Sequence, residues 1–480
     1  MDVEVLTPAR RRAGRGRARG NAWIMAIAAL VSATTLSAQS GSADLRQILE
    51  RLDGLERANR ELTEEVRALR GQLATVTAQV KVEAPAPASG EQAAAALDQA
   101  AVDEQLAVQR QQLLEHAQTK VESGQRFPIR LKGMVLFNSF INSKQGGEKQ
   151  YPSIAGERGD ANGGASLRQS IFGFEYMGPE VAGGGKLHAS VLMDFYGGTG
   201  LALDQTLRIR TARMDVDWKS RSLMVGIDKP IFSPRDPTSL AQVGVSPLTG
   251  AGNLWMWIPQ IRFEQRYRMS DESQIRAQIG VVATREIPSY QADNYVADVE
   301  PSRPGAEGRL EFSRTFSGVR KFEIAPGFHV STSHVAHTPV PSRVASLDWL
   351  ATLSQKLELT GAFYTGQNVA HLGTGGIGEG FDVRGPGDVR PLHSRGGWTQ
   401  LTWTATDRLS FHLFTGRQND RNPELPPGEI GTNLTYGINF FYRLAPNLIL
   451  SLESSQTRTS YIDMGHRLNN HYDFAFAYMF

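Results

Sequence analysis

Asn470-His471-Tyr472-Asp473-Phe474-Ala475-Phe476-Ala477-Tyr478-Met479-Phe480 alternates two kinds of side chain along its whole length. Tyr472, Phe474, Phe476, Tyr478 and Phe480 share one parity; His471, Asp473, Ala475, Ala477 and Met479 share the other. A strand sends successive side chains to opposite faces, so this segment has one aromatic face and one polar-to-small face. In a soluble sandwich the aromatic face packs into a core. In a closed barrel crossing a bacterial outer membrane it faces lipid, with its aromatics near the interface. The rest of the chain decides between the two.

From Phe127 onward the same period of two recurs. Ile129, Leu131, Val135 and Phe137 alternate with Arg130, Lys132 and Asn138, and Leu187-Ala189-Val191-Met193-Phe195 shows the pattern again. It returns in Ile275-Ala277-Ile279-Val281-Ala283, Leu434-Tyr436-Ile438-Phe440-Tyr442 and Leu448-Leu450-Leu452. About sixteen such segments follow one another, beginning near residues 128, 166, 185, 204, 221, 257, 273, 307, 322, 342, 357, 395, 408, 433, 447 and 468. An even count suits a closed antiparallel bacterial barrel. The connections alternate in length. Lys219-Ser220-Arg221, Ser270-Asp271-Glu272, Gln355-Lys356, Thr406-Asp407 and Ala445-Pro446-Asn447 are short, while long ones fall at about 142–165, 229–256, 285–305, 371–393 and 419–432. Short periplasmic turns opposed by long external loops are a barrel signature that a sandwich has no reason to share. The sequence therefore predicts an all-β transmembrane barrel of about sixteen antiparallel strands over residues 127–480, with an N-terminal α-helical coiled coil.

Composition agrees with that assignment. The chain has 480 residues, 40% of them hydrophobic, and beyond the first forty residues no segment reaches the roughly 20 apolar residues a spanning helix needs. A barrel puts its apolar residues at every second position, so a middling average is expected. A formal net charge of +2 argues against a nucleic-acid partner. The absence of cysteine removes disulfides, thiol nucleophiles and thiolate metal sites together.

The N-terminus carries an export signal and then a coiled coil. Arg10, Arg11, Arg12, Arg15, Arg17 and Arg19 precede the apolar run Ala22 to Val31 and then Leu36-Ser37-Ala38. This layout predicts a signal peptide over 1–38, cut after Ala38; the apolar run is too short for a membrane anchor. Leu45, Ile48, Leu52, Leu55, Asn59, Leu62, Val66, Leu69, Leu73, Val76 and Val80 then follow a 3-4 spacing without a break. That is a heptad seam, and Asn59 at an a position fixes register at some cost in stability. In a parallel assembly Arg51 meets Glu56 and Glu65 meets Arg70, both opposite in sign. Residues 43–81 are therefore expected to form a parallel trimeric coiled coil, ~55–60 Å long and periplasmic. The alternative is a single amphipathic helix packed on a globular domain. An Ala/Pro spacer over 82–96 breaks the helix at Pro85 and Pro87, and 97–123 reads as a further helical segment with no assigned partner.

Chemistry is expected on the face opposite the lipid. Arg208 and Arg210 alternate with Leu207 and Ile209; Arg262, Glu264 and Arg266 alternate with Ile261, Phe263 and Tyr267; Arg276 lies between Ile275 and Ala277. Near Thr211 the parity shifts, as a β-bulge allows, and Arg213 joins the inward set with Asp215 and Asp217. Clustered arginines in a narrow aqueous pore favour anions. The alternative is that Asp215, Asp217 and Glu264 neutralise them as ordinary lumen residues. The connection Lys229 to Trp257 contains four prolines, and Arg235 and Asp236 are candidate constriction residues if it folds inward; a surface loop is the alternative. His188, His329 and His412 show no metal-ligand spacing. Their inward parity leaves no Ser–His pair on a lipid-facing rim, so no enzyme, metal or cofactor is expected.

Asp194-Phe195-Tyr196-Gly197-Gly198, then Leu207-Arg208-Ile209-Arg210, then Leu223-Met224-Val225-Gly226 resemble the corresponding stretches of DcaP-like trimeric porins, and the architecture from residue 39 to 480 resembles theirs as well. Segment four departs from that family at Thr211-Ala212-Arg213, which lacks an aromatic. Phosphate-selective porins share the layout. The resemblance implies a homotrimer in outer-membrane lipid that passes small anionic solutes such as dicarboxylates. The competing class is structural, a tether from the outer membrane to the cell wall with the barrel as its anchor.

Overall fold

A computed structural model of the chain describes residues 128–198, 205–285, 302–316, 320–335, 338–374, 380–385 and 387–480. The expected signal peptide, coiled coil (Leu45, Ile48, Leu52, Leu55, Asn59, Leu62, Val66 and Leu69 among its seam), spacer and 97–123 segment lie outside the described residues.

The strands are β1 (Ile129–Asn142), β2 (Asn162–Ser166), β3 (Ile171–Val181), β4 (Gly185–Gly197), β5 (Thr206–Asp217), β6 (Arg221–Asp228), β7 (Ile258–Arg268), β8 (Ser273–Arg285), β9 (Ser302–Phe316) and β10 (Arg320–Val335). They continue as β11 (Thr338–Ser354), β12 (Leu357–Gln367), β13 (Phe381–Gly385), β14 (Asp388–Pro391), β15 (His393–Thr404), β16 (Leu409–Asp420), β17 (Ile430–Ala445), β18 (Leu448–Tyr461) and β19 (Gly465–Met479). Strands β13 and β14 form a separate hairpin, and the other seventeen make one antiparallel sheet. Strands β2 and β3 pair with successive stretches of the same edge of β1, so they share one place and the ring has sixteen staves. The ring closes where β19 pairs with β1, in the register Val135↔Tyr478, Phe137↔Phe476, Ser139↔Phe474 and Ile141↔Tyr472. Beyond that register Gly133 and Phe480 exchange both backbone hydrogen bonds, at 3.0 and 3.1 Å.

Alternation in sequence becomes the inside and outside of the barrel. On β19 Tyr472, Phe474, Phe476 and Tyr478 are exposed on the outer surface, whereas His471, Asp473, Ala475 and Ala477 are buried within. Leu131, Ile209, Ile261, Ile279 and Val281 carry the exposed apolar belt round to other staves. Among the described residues no helix is long and apolar enough to cross a membrane; the apolar belt belongs to strands. The expected bulge lies where the parity shifts: the β4–β5 register steps from Leu192↔Thr211 to Met193↔Ile209 and leaves Arg210 as the extra residue. Ile209 and Met214, of opposite parity, are therefore both exposed outside.

At one end of the barrel the connections are short, as at 182–184, 218–220, 269–272, 355–356 and 446–447. At the other end 143–161, 229–257 and 421–429 are long. The alternation is not complete. Ile462–Met464 at the long end spans three residues, and only two separate β10 from β11.

The apolar core lies inside the barrel, where the 229–257 connection meets the wall. Phe232 and Leu254 pack with Val344, Tyr364, Val369 and Leu372. Leu240 packs with Leu136, Ile449, Ala475 and Ala477, and Leu248 and Ala251 pack with Ala362, Trp398 and Phe414. The connection is thus an inner element of the fold rather than a surface loop.

Candidate functional site

The connection that follows β6, the fifth stave, crosses the lumen and is held on many sides. The Ile231 amide donates to Glu307 Oε2 on β9 at 2.7 Å, and the Thr238 amide donates to Gln400 Oε1 on β15 at 2.6 Å. Ser239 Oγ donates to Glu453 Oε2 on β18 at 2.6 Å, and Asn138 Nδ2 on β1 donates to the Leu240 carbonyl at 2.9 Å. Gln169, between β2 and β3, accepts both the Val243 and Gly244 amides at 2.7 Å. Gly252 has φ +92°, and an added Cβ would stand 2.4 Å from the Gly397 nitrogen, so only glycine lets the loop backbone lie this close to β15.

The two constriction candidates have different roles. Arg235 reaches the wall, donating to Asp348 Oδ1 on β11 at 2.6 Å and to Glu323 on β10. Burial works against the charge of Arg235, but hydrogen bonds to Glu323 and Asp348 prevail and hold its proton more firmly than usual. Asp236 pairs with Lys229 of the same loop. Arg235 is therefore an anchor, and Asp236 is partly neutralised at the loop's own base.

Arg208, Arg210 and Arg213 on β5, Arg262, Glu264 and Arg266 on β7 and Arg276 on β8 all face inward on one wall. Asp215, Asp217 and Glu264, the neutralising acids of the alternative reading, supply only part of its counter-charge, and Asp194, Asp228 and Glu311 add to it. Asp194 on β4 takes Arg208 in a forked pair at 2.8 and 3.1 Å and Arg210 at 2.9 Å. Asp228 at the end of β6 takes Arg213 at 2.9 Å and Arg262 at 3.5 Å. Glu311 on β9 takes Arg276 at 2.6 Å and Arg309 at 2.7 Å. Arg266 meets Glu264 at 3.5 Å and Asp217 at 3.8 Å. The same two arginines of β5 also donate to the loop carbonyls of Gly244 and Val243. Aromatic rings complete the ladder: the Arg168 guanidinium lies 4.0 Å from the Tyr196 ring centre and that of Arg210 lies 4.5 Å from that of Trp257.

The pairs are asymmetric toward water. Side chains of Arg208, Arg213, Arg266 and Arg276 keep between 29% and 36% of their surface, whereas Asp194, Glu311 and Glu264 keep 0%, 5% and 10%. Asp194 and Glu311 sit against the wall and the guanidinium groups of Arg208 and Arg276 reach past them, whereas Arg210 and Arg262 keep only 14% and 17% and Asp217, beside Arg266, keeps 50%. Across the barrel, the inward Asn138, Asn439, Glu453 and Asp473 are buried under the loop.

Asp194, Asp228, Arg309, Glu311 and Asp348 are the site residues that sequence reasoning missed. Asp194 had a visible signal, since it lies at the inward parity of the Leu187-to-Phe195 alternation. The others are partners brought together only by the neighbouring staves.

A sixteen-stave antiparallel barrel, apolar outside and polar within, with the connection after its fifth stave folded across the lumen, has the architecture of outer-membrane porins. No family model matches the sequence, and no curated protein does. Among solved structures the chain is similar to the outer membrane channel DcaP of Acinetobacter baumannii, with a TM-score of 0.60 and 15% identity over 73% of this chain and 97% of that one. It is similar also to an anion-selective porin from Comamonas acidovorans, with a TM-score of 0.50 and 10% identity over 73% of this chain and 99% of the other. At these identities the likeness is one of fold.

Proposed function

We propose that the protein is a passive outer-membrane diffusion channel for small hydrophilic solutes, with a preference for anions such as dicarboxylates, working as a homotrimer. Its short-turn end faces the periplasm, where the coiled coil of 43–81 joins the three chains. The observation that carries this reading is the row of partly exposed guanidinium groups on β5, β7 and β8. Those of Arg208 and Arg276 have their counter-charges Asp194 and Glu311 set back against the wall, so a solute that reaches them meets the positive end of the pair first. A narrow lumen screens such a field less than an open surface does. Bound anions are held weakly because the carboxylates behind compete for the same donors, and a diffusion channel needs that weakness for exit.

Reversal potential across a planar bilayer under a salt gradient tests it. The wild type is expected to select anions, and Arg208→Ala combined with Arg210→Ala shifts the potential toward cations, because Asp194 then loses both partners. A cation-selective wild type, or a double variant that leaves the potential unmoved, removes the anion preference. Absence of any conductance removes the channel itself.

A further inference from the structure

Opposite the arginine wall, β17, β18 and β19 turn a second set of polar side chains inward. We propose that Glu453 and Asp473 form a hard-cation site, suited to Ca²⁺, beneath the 238–240 stretch of the constriction loop.

The two residues stand directly opposite each other in the β18–β19 register. Both face inward, and same-face neighbours of this kind have Cβ atoms about 5 Å apart. Both are nearly sealed, at 4% and 3% exposed. Their hydrogen-bond partners are all neutral. Glu453 accepts from Ser239 Oγ at 2.6 Å, Asn439 Nδ2 at 3.0 Å and Tyr151 Oη at 3.5 Å, and Asp473 Oδ1 accepts from Asn138 Nδ2 at 3.0 Å. Among the described residues no lysine or arginine pairs with either carboxylate, in contrast to Asp194, Asp228, Glu264 and Glu311 of the opposite wall. Two facing carboxylates without a counter-charge in so dry a place are strongly unfavourable.

Three further buried atoms around this pair have no hydrogen-bond partner: Asp473 Oδ2, Asn439 Oδ1 and Ser451 Oγ. Asn439 faces Glu453 across the β17–β18 ladder. Its Nδ2 donates to both Glu453 and the Thr238 carbonyl, which fixes the amide orientation and leaves Oδ1 as the bare acceptor beside the same carboxylate. Ser451 is two residues before Glu453 on the same face. A single shared proton would neutralise half the charge and satisfy one of these oxygens. A cation that gathers six to eight oxygen ligands offsets both charges and uses the neutral oxygens as well. Among the described residues no three His, Asp or Glu side chains converge as a ready-made ligand set, so the site is one of oxygens, two of them carboxylates. The same cluster holds the loop through Thr238, Ser239 and Leu240, so a bound ion also fastens the loop to the wall.

Equilibrium dialysis of the full-length protein in detergent, stripped with EDTA and exposed to CaCl₂ at neutral pH, tests the site. The expected result is saturable uptake of one Ca²⁺ per chain, with a raised unfolding temperature. Glu453→Gln and Asp473→Asn are each expected to weaken uptake by about tenfold or more, since each removes one of two charged ligands. No saturable uptake by the wild type overturns the proposal in favour of a shared proton. Undiminished uptake in Asp473→Asn overturns it by placing the ion elsewhere. Should the charge-removing variants not assemble, Glu453→Asp keeps both charges on a shorter arm. A several-fold loss of affinity at the same stoichiometry is then expected, and an unchanged affinity overturns the assignment.

Discussion

Asp194 is a single buried carboxylate shared by two arginines, and its replacement separates the structural and electrical roles of the pair. Asp194→Asn keeps the shape and removes the charge, leaving Arg208 and Arg210 with one neutral amide oxygen and the loop carbonyls as acceptors. Removing one partner of a fully buried ion pair costs about 3–5 kcal/mol, and the partial exposure of Arg208 puts this site below that range. The expected outcome is a lower urea midpoint in lipid vesicles together with stronger anion selectivity in bilayers. An unchanged midpoint and selectivity would show that the carboxylate does not balance these arginines. Arg208, Arg210, Arg262, Arg266 and Arg276 were legible from parity, because each has an apolar neighbour in the alternation, Ile209, Ile261, Phe263, Tyr267 or Ile275. Their partners Asp228 and Glu311 were not, nor was Asp348 beside Arg235 and Arg309, because a pair across two strands depends on register, which a single sequence leaves open.

At the scale of elements, the constriction loop is fixed by one charged side chain of its own, Arg235, and by many hydrogen bonds from its backbone and neutral side chains to the wall. Arg235→Ala removes the charged anchor without stranding the acids it leaves, since Asp348 keeps Arg309 at 2.7 Å and Glu323 keeps Lys321. The barrel is therefore expected to fold with unchanged strand content while the loop loosens. Single-channel conductance should rise, and limited proteolysis should gain a cut within 229–257. A variant with wild-type conductance and the wild-type digest would mean the neutral anchors suffice. Strand positions were readable because burial imposes a period of two on every stave: the expected segment starts at 185, 221, 273 and 357 coincide with β4, β6, β8 and β12. The inward course of the loop was not readable. Phe232, Leu240, Leu248 and Leu254 follow no period, and what buries them is supplied by several different staves.

For the whole molecule, the exposed apolar belt is the surface that meets hydrocarbon. Ile279 stands in it on β8 and is 57% exposed. Ile279→Arg is expected to cost about 2–4 kcal/mol near the bilayer midplane, read from urea unfolding of vesicle-inserted protein. A cost near zero would move this level of the barrel to the interface. The seam between β1 and β19 has a consequence in time. It joins Asn142 to His471, residues 329 apart in the chain. Contacts so distant form late, because the intervening chain must first be brought to order. Throughout that interval the growing sheet presents two unpaired margins, one of them β1, which any other strand could occupy. Synthesis order thus makes the first strand wait for the last, with one edge of β1 open until β19 arrives.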